Sequence, residues 1–217
     1  MVKPRIVETN QGIQGEFDVQ IYGRMMRRFR DKGWMETDHV IKSGITKGLA
    51  LEIGPGYLGL EWLKKTKGTN LRAVEISPDM IRIAKKNAKE YGFENRVRYV
   101  KADARQIPFG DNTFDAVFTN GSLHEWSEPK KIFNDIYRVL KPRGRYFISD
   151  LRRDISPLIK WFMYFMAKPK EIRPGLTTSI NAAYTVKEIW PLLSQTKMKK
   201  AIVKKTSMGF EITGAKI

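Results

Sequence analysis

The chain has 217 residues, no cysteine, 2 histidines and a formal net charge of +17, with 41% hydrophobic and 29% charged residues. That length supports one domain with a full core and room for a small appendage, and the composition is that of a globular protein. Without cysteine there is no disulfide framework, thiolate nucleophile or Cys-ligated metal site, and His39 and His124 are too few for a His-rich one.

No metal is therefore expected. The opening MVKPRIVETN lacks an apolar signal core and no run approaches membrane-spanning length, so a cytoplasmic location is expected. The positive charge favours an anionic partner such as RNA, a membrane surface or an acidic small molecule. The basic residues are scattered, as in Lys64/Lys65/Lys67 and Lys199/Lys200/Lys204/Lys205, which favours a solvated lysine-rich surface.

Residues 1–45 read as an N-terminal helical cap, with Phe17, Ile21, Met25 and Phe29 at four-residue spacing and Arg24, Arg27, Arg28 and Arg30 on other faces. Residues 46–217 read as the core. An apolar run ends in Glu52, and Gly54, Pro55, Gly56 and Gly59 turn it into an amphipathic segment with Leu60, Trp62 and Leu63. Strand, glycine loop and helix in this order bring backbone N–H groups and a helix N-terminus to a ligand. Gly54, Gly56 and Gly59 also satisfy GxGxxG, so this segment alone leaves the cofactor open.

Asn70 to Glu75 is a short strand. Ser77-Pro78-Asp79 is an N-cap serine, a first-turn proline and an acid, opening a helix with Met80, Ile81, Ala84 and Ala88 on one face that stops at Gly92. Further strands are expected at 96–101, 114–119 and 145–149. A helix carrying Ile132, Phe133, Ile136, Val139 and Leu140 precedes the last of these, closed by Lys141-Pro142-Arg143-Gly144. Alternating strands and helices imply a parallel sheet covered on both faces. Thr185 to Glu188 has capping-box spacing and opens a helix. Strand-like runs at 201–206 and 210–217, separated by Ser207-Met208-Gly209, then form an antiparallel pair. A sheet that ends this way is not the dinucleotide arrangement of two mirrored halves.

With these elements placed, ALEIGPG (50–56), AVEIS (73–77), KADARQIPFGDNTFDAVFTN (101–120) and IYRVLKPRGRYFISD (136–150) together resemble the class I S-adenosylmethionine-dependent methyltransferases. More narrowly, the chain is similar to the ubiquinone/menaquinone-type small-molecule group. The resemblance covers residues 46–150 by motif and 184–217 by pattern. It implies a Rossmann-like three-layer α/β sandwich: a mostly parallel seven-stranded sheet ending in an antiparallel C-terminal hairpin, with a lid insertion at about 151–183.

It also implies S-adenosyl-L-methionine as cofactor, held by Glu52, Gly54, Pro55, Gly56, Glu75, Ile76, Met80, Asp103, Ala104, Asn120 and Gly121. Glu75, at a strand's carboxyl end, would accept both ribose hydroxyl protons. Ile76 and Met80 would pack on adenine or belong to the core. Asp103 would take the adenine amino group, with Ala104 offering its N–H, or would cap a surface turn. Glu52 would face the methionine ammonium and, being buried, needs a cationic or N–H partner. Asn120 and Gly121 would close the methionine side, and Tyr22 would reach over it or simply pack. His124, in SLHEW, is a catalytic-base candidate, with a loop or cofactor contact as the alternative.

In the insertion, Trp161, Phe162, Tyr164 and Phe165 are expected to line a substrate lid, flanked by Arg152, Arg153, Lys168, Lys170 and Arg173. The expected activity is methyl transfer to a small lipophilic or anionic acceptor. The Asn120-Gly121-Ser122-Leu123 run lacks the Pro-Pro-aromatic pattern of nucleobase amino-methyltransferases. An RNA methyltransferase, an NAD(P)-dependent oxidoreductase and a non-catalytic cofactor-binding protein are the alternatives. Oligomeric state is not legible.

Overall fold

Seven strands form one mixed sheet in the order β3-β2-β1-β4-β5-β7-β6 in the computed structural model, which describes residues 3–8, 13 and 15–217. They are β1 (Leu49–Ile53), β2 (Asn70–Glu75), β3 (Val97–Lys101), β4 (Phe114–Asn120), β5 (Leu140–Leu151), β6 (Ile202–Lys205) and β7 (Gly209–Ala215). The helices are α1 (Glu16–Asp31), α2 (Thr37–Lys42), α3 (Leu58–Lys65), α4 (Pro78–Glu90), α5 (Pro129–Val139), α6 (Pro157–Met166), α7 (Arg173–Ala182) and α8 (Val186–Ser194). Strands β1 to β5 run parallel, whereas β7 is antiparallel to both β5 and β6.

The pleat alternates side chains between two apolar layers. On one face Leu51, Ile53, Val117 and Ile148 pack with Phe133 and Ile136 of α5 and Ile189 and Leu193 of α8. On the other, Ala50, Leu71, Phe118 and Phe147 pack with Trp62 and Leu63 of α3. Trp62 is fully buried, donates its indole N–H to the Ile45 carbonyl at 2.8 Å, and lies 5.6 Å from Phe118 between ring centroids. Near-continuous apolar strands are what helices on both faces require.

Local signals set several boundaries. The Ser77 hydroxyl accepts the Met80 N–H with Pro78 at the first helical position, and Thr185 and Glu188 complete a capping box. Two readings differ, at 141–144 and in α1, and the order of the last two strands, which the sequence left open, is added. The turn expected at 141–144 lies inside β5: pairing with β4 jumps from Phe114↔Leu140 to Ala116↔Arg145, and Arg143 takes φ 65° in the interruption. β7 is inserted between β5 and β6, so the C-terminal pair is zipped to the sheet by its last strand rather than its first. In α1 the cleft-facing residues are Val19, Tyr22 and Met26, while Phe17 is 67% exposed.

The insertion between β5 and α8 folds as α6 and α7 over a small cluster of Ile155, Met163 and Ile180. α7 packs against the one-turn helix Leu123–Glu125 after β4, and α1 packs against the turn Lys170–Ile172. Both added segments therefore meet at the carboxyl end of the parallel strands. Trp161, Phe162 and Phe165 face solvent and line no interior lid; Tyr164 is partly buried and meets the Thr177 hydroxyl. The inner face of α6 is supplied instead by Ile159 and Met163, four residues apart.

Trp62→Ala should cost about 3–5 kcal/mol, because it empties the second layer and leaves the Ile45 carbonyl unpaired. A chemical-denaturation midpoint unchanged from wild type would contradict this packing.

Candidate active site

Ala50 and Glu52 share the sheet face that α3 covers, so the pleat delivers the Glu52 carboxylate beneath the first turn of that helix. Its Oε1 accepts the Gly59 N–H at 3.0 Å and the Gly56 N–H at 3.5 Å. Two N–H donors and the positive end of a helix dipole thus meet the need for partners. Burial still dominates and pushes the carboxyl up to about 8, against an ordinary value of 4.5. Gly59 is required by this approach: a Cβ there would lie 2.2 Å from Glu52 Oε2 and 2.5 Å from Leu71 Cδ2. Gly54 takes φ +68°, and a Cβ on it would meet Ser122 Oγ at 2.3 Å.

Beyond this loop a cleft is lined by Tyr22, Met26, Pro55, Gly56, Met80 and Asn87. It lies between α1, α4 and the loop that leaves β1, and β1 is the strand that separates β2 from β4, where connections leave in opposite directions and open α/β sheets take ligands. Glu75 closes β2; its Oε1 accepts the Ser77 N–H at 2.7 Å, and burial raises its pKa. Ile76 follows it partly buried, and Met80 is 8% exposed on the cleft wall. The Tyr22 hydroxyl is held neutral, first by burial and then by Glu125, Glu75 and Glu52. Neither Glu52 nor Glu75 has a cationic partner among the described residues.

Asp103 lies at a turn. It caps the one-turn helix Ala104–Gln106, and both its oxygens bind Arg105, at 2.8 Å to the backbone N–H and 2.6 and 2.9 Å to the guanidinium. The Arg105 hydrogen bond lowers its pKa. The capped-turn alternative is the geometry seen, with Ala104 as its first residue. Asn120 ends β4 partly buried, and Gly121, at φ 68°, turns the chain toward His124.

His124 is 5% exposed. Its Nδ1 lies 2.8 and 3.0 Å from the two Asp150 oxygens, and its backbone N–H donates to Asp150 Oδ2 at 2.6 Å. Its Nε2 faces Glu8 at 3.5 Å and Glu125 at 3.9 Å. Burial opposes the imidazolium, but Asp150, Glu125 and Glu8 overcome it and raise the pKa to about 9. The carboxylates around the ring thus favour its protonated form. Glu125 is pushed up to about 7, chiefly by burial. The ligand atoms of Glu8, His124 and Glu125 lie within 4.8 Å of one another. Arg5 straps the same loop, donating to the carbonyls of Ala182 at 2.5 Å and His124 at 2.7 Å. Glu8, Arg5, Glu125 and Asp150 were not singled out in the sequence. The acid after His124 in SLHEW was the one available signal.

The fold and this cleft resemble those of the class I S-adenosylmethionine-dependent methyltransferases. The family model described as "Methyltransferase domain" matches residues 51–148. The chain is 34% identical over 103 residues to the ubiquinone/menaquinone biosynthesis C-methyltransferase UbiE of Blochmanniella pennsylvanica, covering 47% of this chain and 41% of that protein. It is 29% identical over 132 residues to the demethylmenaquinone methyltransferase of Thermus thermophilus, covering 60% and 59%. The chain therefore spans about half the length of the curated relatives it matches. A solved SAM-dependent methyltransferase from Aquifex aeolicus superposes with a TM-score of 0.63 at 22% identity, over 84% of this chain and 90% of that one, and establishes the likeness of fold.

The ionisations make a stability prediction. Glu52 ionises near 4.5 when unfolded and about 8 when folded, and His124 near 6.5 and about 9, so the folded chain holds extra protons across both intervals. Stability of the ligand-free protein should fall as pH rises from about 4.5 to about 9. Glu52→Gln should flatten the lower part of that slope in thermal melts; an unchanged slope would place the protonation elsewhere.

Proposed function

We propose that this chain transfers a methyl group from S-adenosyl-L-methionine to a small lipophilic acceptor of quinol type. The observation that carries the reading is the glycine loop after β1, with the buried Glu52 and the half-buried Glu75 at the ends of adjacent strands and no cation paired to either among the described residues. A ligand bearing a sulfonium, an ammonium and a ribose diol fits that donor set. The curated relatives named for quinone C-methylation support the acceptor class.

When bound, the cofactor supplies an electrophilic sulfonium methyl group. In this reading Glu75 accepts hydrogen bonds from the ribose hydroxyls, Gly54, Pro55 and Gly56 leave the backbone open to the ligand, and Ile76 and Met80 pack on the adenine. Glu52, Asn120, Gly121 and Tyr22 surround the amino-acid end, with the ammonium drawing Glu52 back to its carboxylate form. Asp103 and Ala104 reach the adenine edge only if Arg105 yields a carboxylate oxygen. Glu125 accepts the proton that an acidic acceptor must lose, and Asp150 orients His124, whose imidazolium offsets the neighbouring carboxylates. The remaining requirement is alignment and exclusion of water, met by α1, the 3–8 strap and α7.

Two measurements test this. Glu75→Ala should weaken calorimetric binding of S-adenosylhomocysteine by about a hundredfold, the loss of a charged, desolvated hydrogen-bond acceptor, with thermal unfolding unchanged; normal binding would displace the site. Transfer of a labelled methyl group to a demethylated quinol should show a bell-shaped kcat/KM, with limbs near 7 and 9 that belong to the coupled Glu125–His124 pair. Glu125→Gln should remove the acidic limb and lower kcat about 10²–10⁴-fold. A retained acidic limb would exclude Glu125 as the base.

A further inference from the structure

We propose that α6 docks the protein on an anionic membrane surface. Leu158, Trp161, Phe162 and Phe165 fall at i, i+3, i+4 and i+7 of this helix and are 74%, 65%, 48% and 57% exposed. The opposite face is spent on Ile155 and Ile180 through Ile159 and Met163, so the outer stripe has no core partner among the described residues. A contiguous apolar stripe on a helix is the element that lies in a lipid interface, with its rings at headgroup depth. No helix among the described residues is long and apolar enough to cross a membrane, which leaves lying on the surface.

Charge selects the occupant. α6 contains Lys160 and no acidic residue, Lys168 and Lys170 follow it exposed, and the whole chain carries +17. Basic residues beside an apolar face match anionic headgroups. The same charge repels a second copy of the chain. RNA fits less well, because Trp161 and Phe165 stack on each other at 5.8 Å and 15°, which occupies ring faces that bases would need. The inference goes beyond methyl transfer and does not depend on it.

Flotation of the full chain with phosphatidylglycerol/phosphatidylcholine vesicles, without cofactor, tests it. Co-flotation is expected with anionic vesicles and much less with phosphatidylcholine alone. Trp161→Ser/Phe165→Ser should bind roughly tenfold more weakly or worse, and Lys168→Ala or Lys170→Ala about fivefold more weakly each, all with wild-type thermal unfolding. If the double variant does not fold, Leu158→Ser, at the most exposed of the four positions, is read instead. Absent flotation of the wild type, or undiminished flotation of the stripe variants, overturns the proposal. So does vesicle-independent dimerisation, or RNA binding, that the stripe variants abolish. Failed flotation leaves the cofactor-binding measurements untouched, and failed cofactor binding leaves flotation untouched.

Discussion

The buried carboxylate of Glu52 is the contact around which the cleft is organised. It ties the end of β1 to the first turn of α3 by accepting the Gly59 N–H, and it requires a glycine there because its own oxygen fills the space of a Cβ. A carboxylate so placed resists ionisation, and burial raises its pKa to about 8. The chain leaves this cost standing. Glu75 and Glu125 are also raised by burial, and the described residues bring no lysine or arginine to Glu52 or Glu75. Acids left without a cationic partner are the feature on which the proposed cofactor site rests.

The second organising contact is the Asp150–His124 pair, which joins the end of β5 to the loop after β4. It explains why His124 is buried and charged at once: Asp150 binds both its ring and its backbone N–H. Glu8 and Glu125 complete the group from the N-terminal segment and the same loop. The group thus joins a ring whose protonated form its carboxylate neighbours favour with a carboxyl that burial raises to about 7. The two added segments, strap with α1 and α6 with α7, meet at this end and form its walls.

Most of the core was legible from residues 46–150 because local grammar and global fold agree there. Ser77-Pro78 caps α4 as its spacing indicates, Glu75 ends β2, and Glu52 lies one residue before the end of β1. Legibility failed where one local signal had two competent outcomes. Lys141-Pro142-Arg143-Gly144 has turn chemistry, yet a ladder that resumes on either side absorbs it into β5. Asp103 suits both a turn cap and an adenine contact, and Arg105 two residues on decides for the cap. The aromatic residues of α6 read as a lid because periodicity shows that a stripe exists without showing which neighbour, if any, covers it.

The sequence by itself determined the alternation of strand and helix, the glycine loop with its acid two residues upstream, and the capping of α4 and α8, since each depends on contacts within a few residues. Tertiary structure alone decided that β7 lies between β5 and β6, that Asp150 reaches His124 across 26 positions of chain, and that Glu8 joins them. Those outcomes rest on register and side-chain packing between distant segments, and a carboxylate's pKa is set by what surrounds it in space. The outward stripe of α6 was decided in the same way, by Ile155 and Ile180 claiming the opposite face.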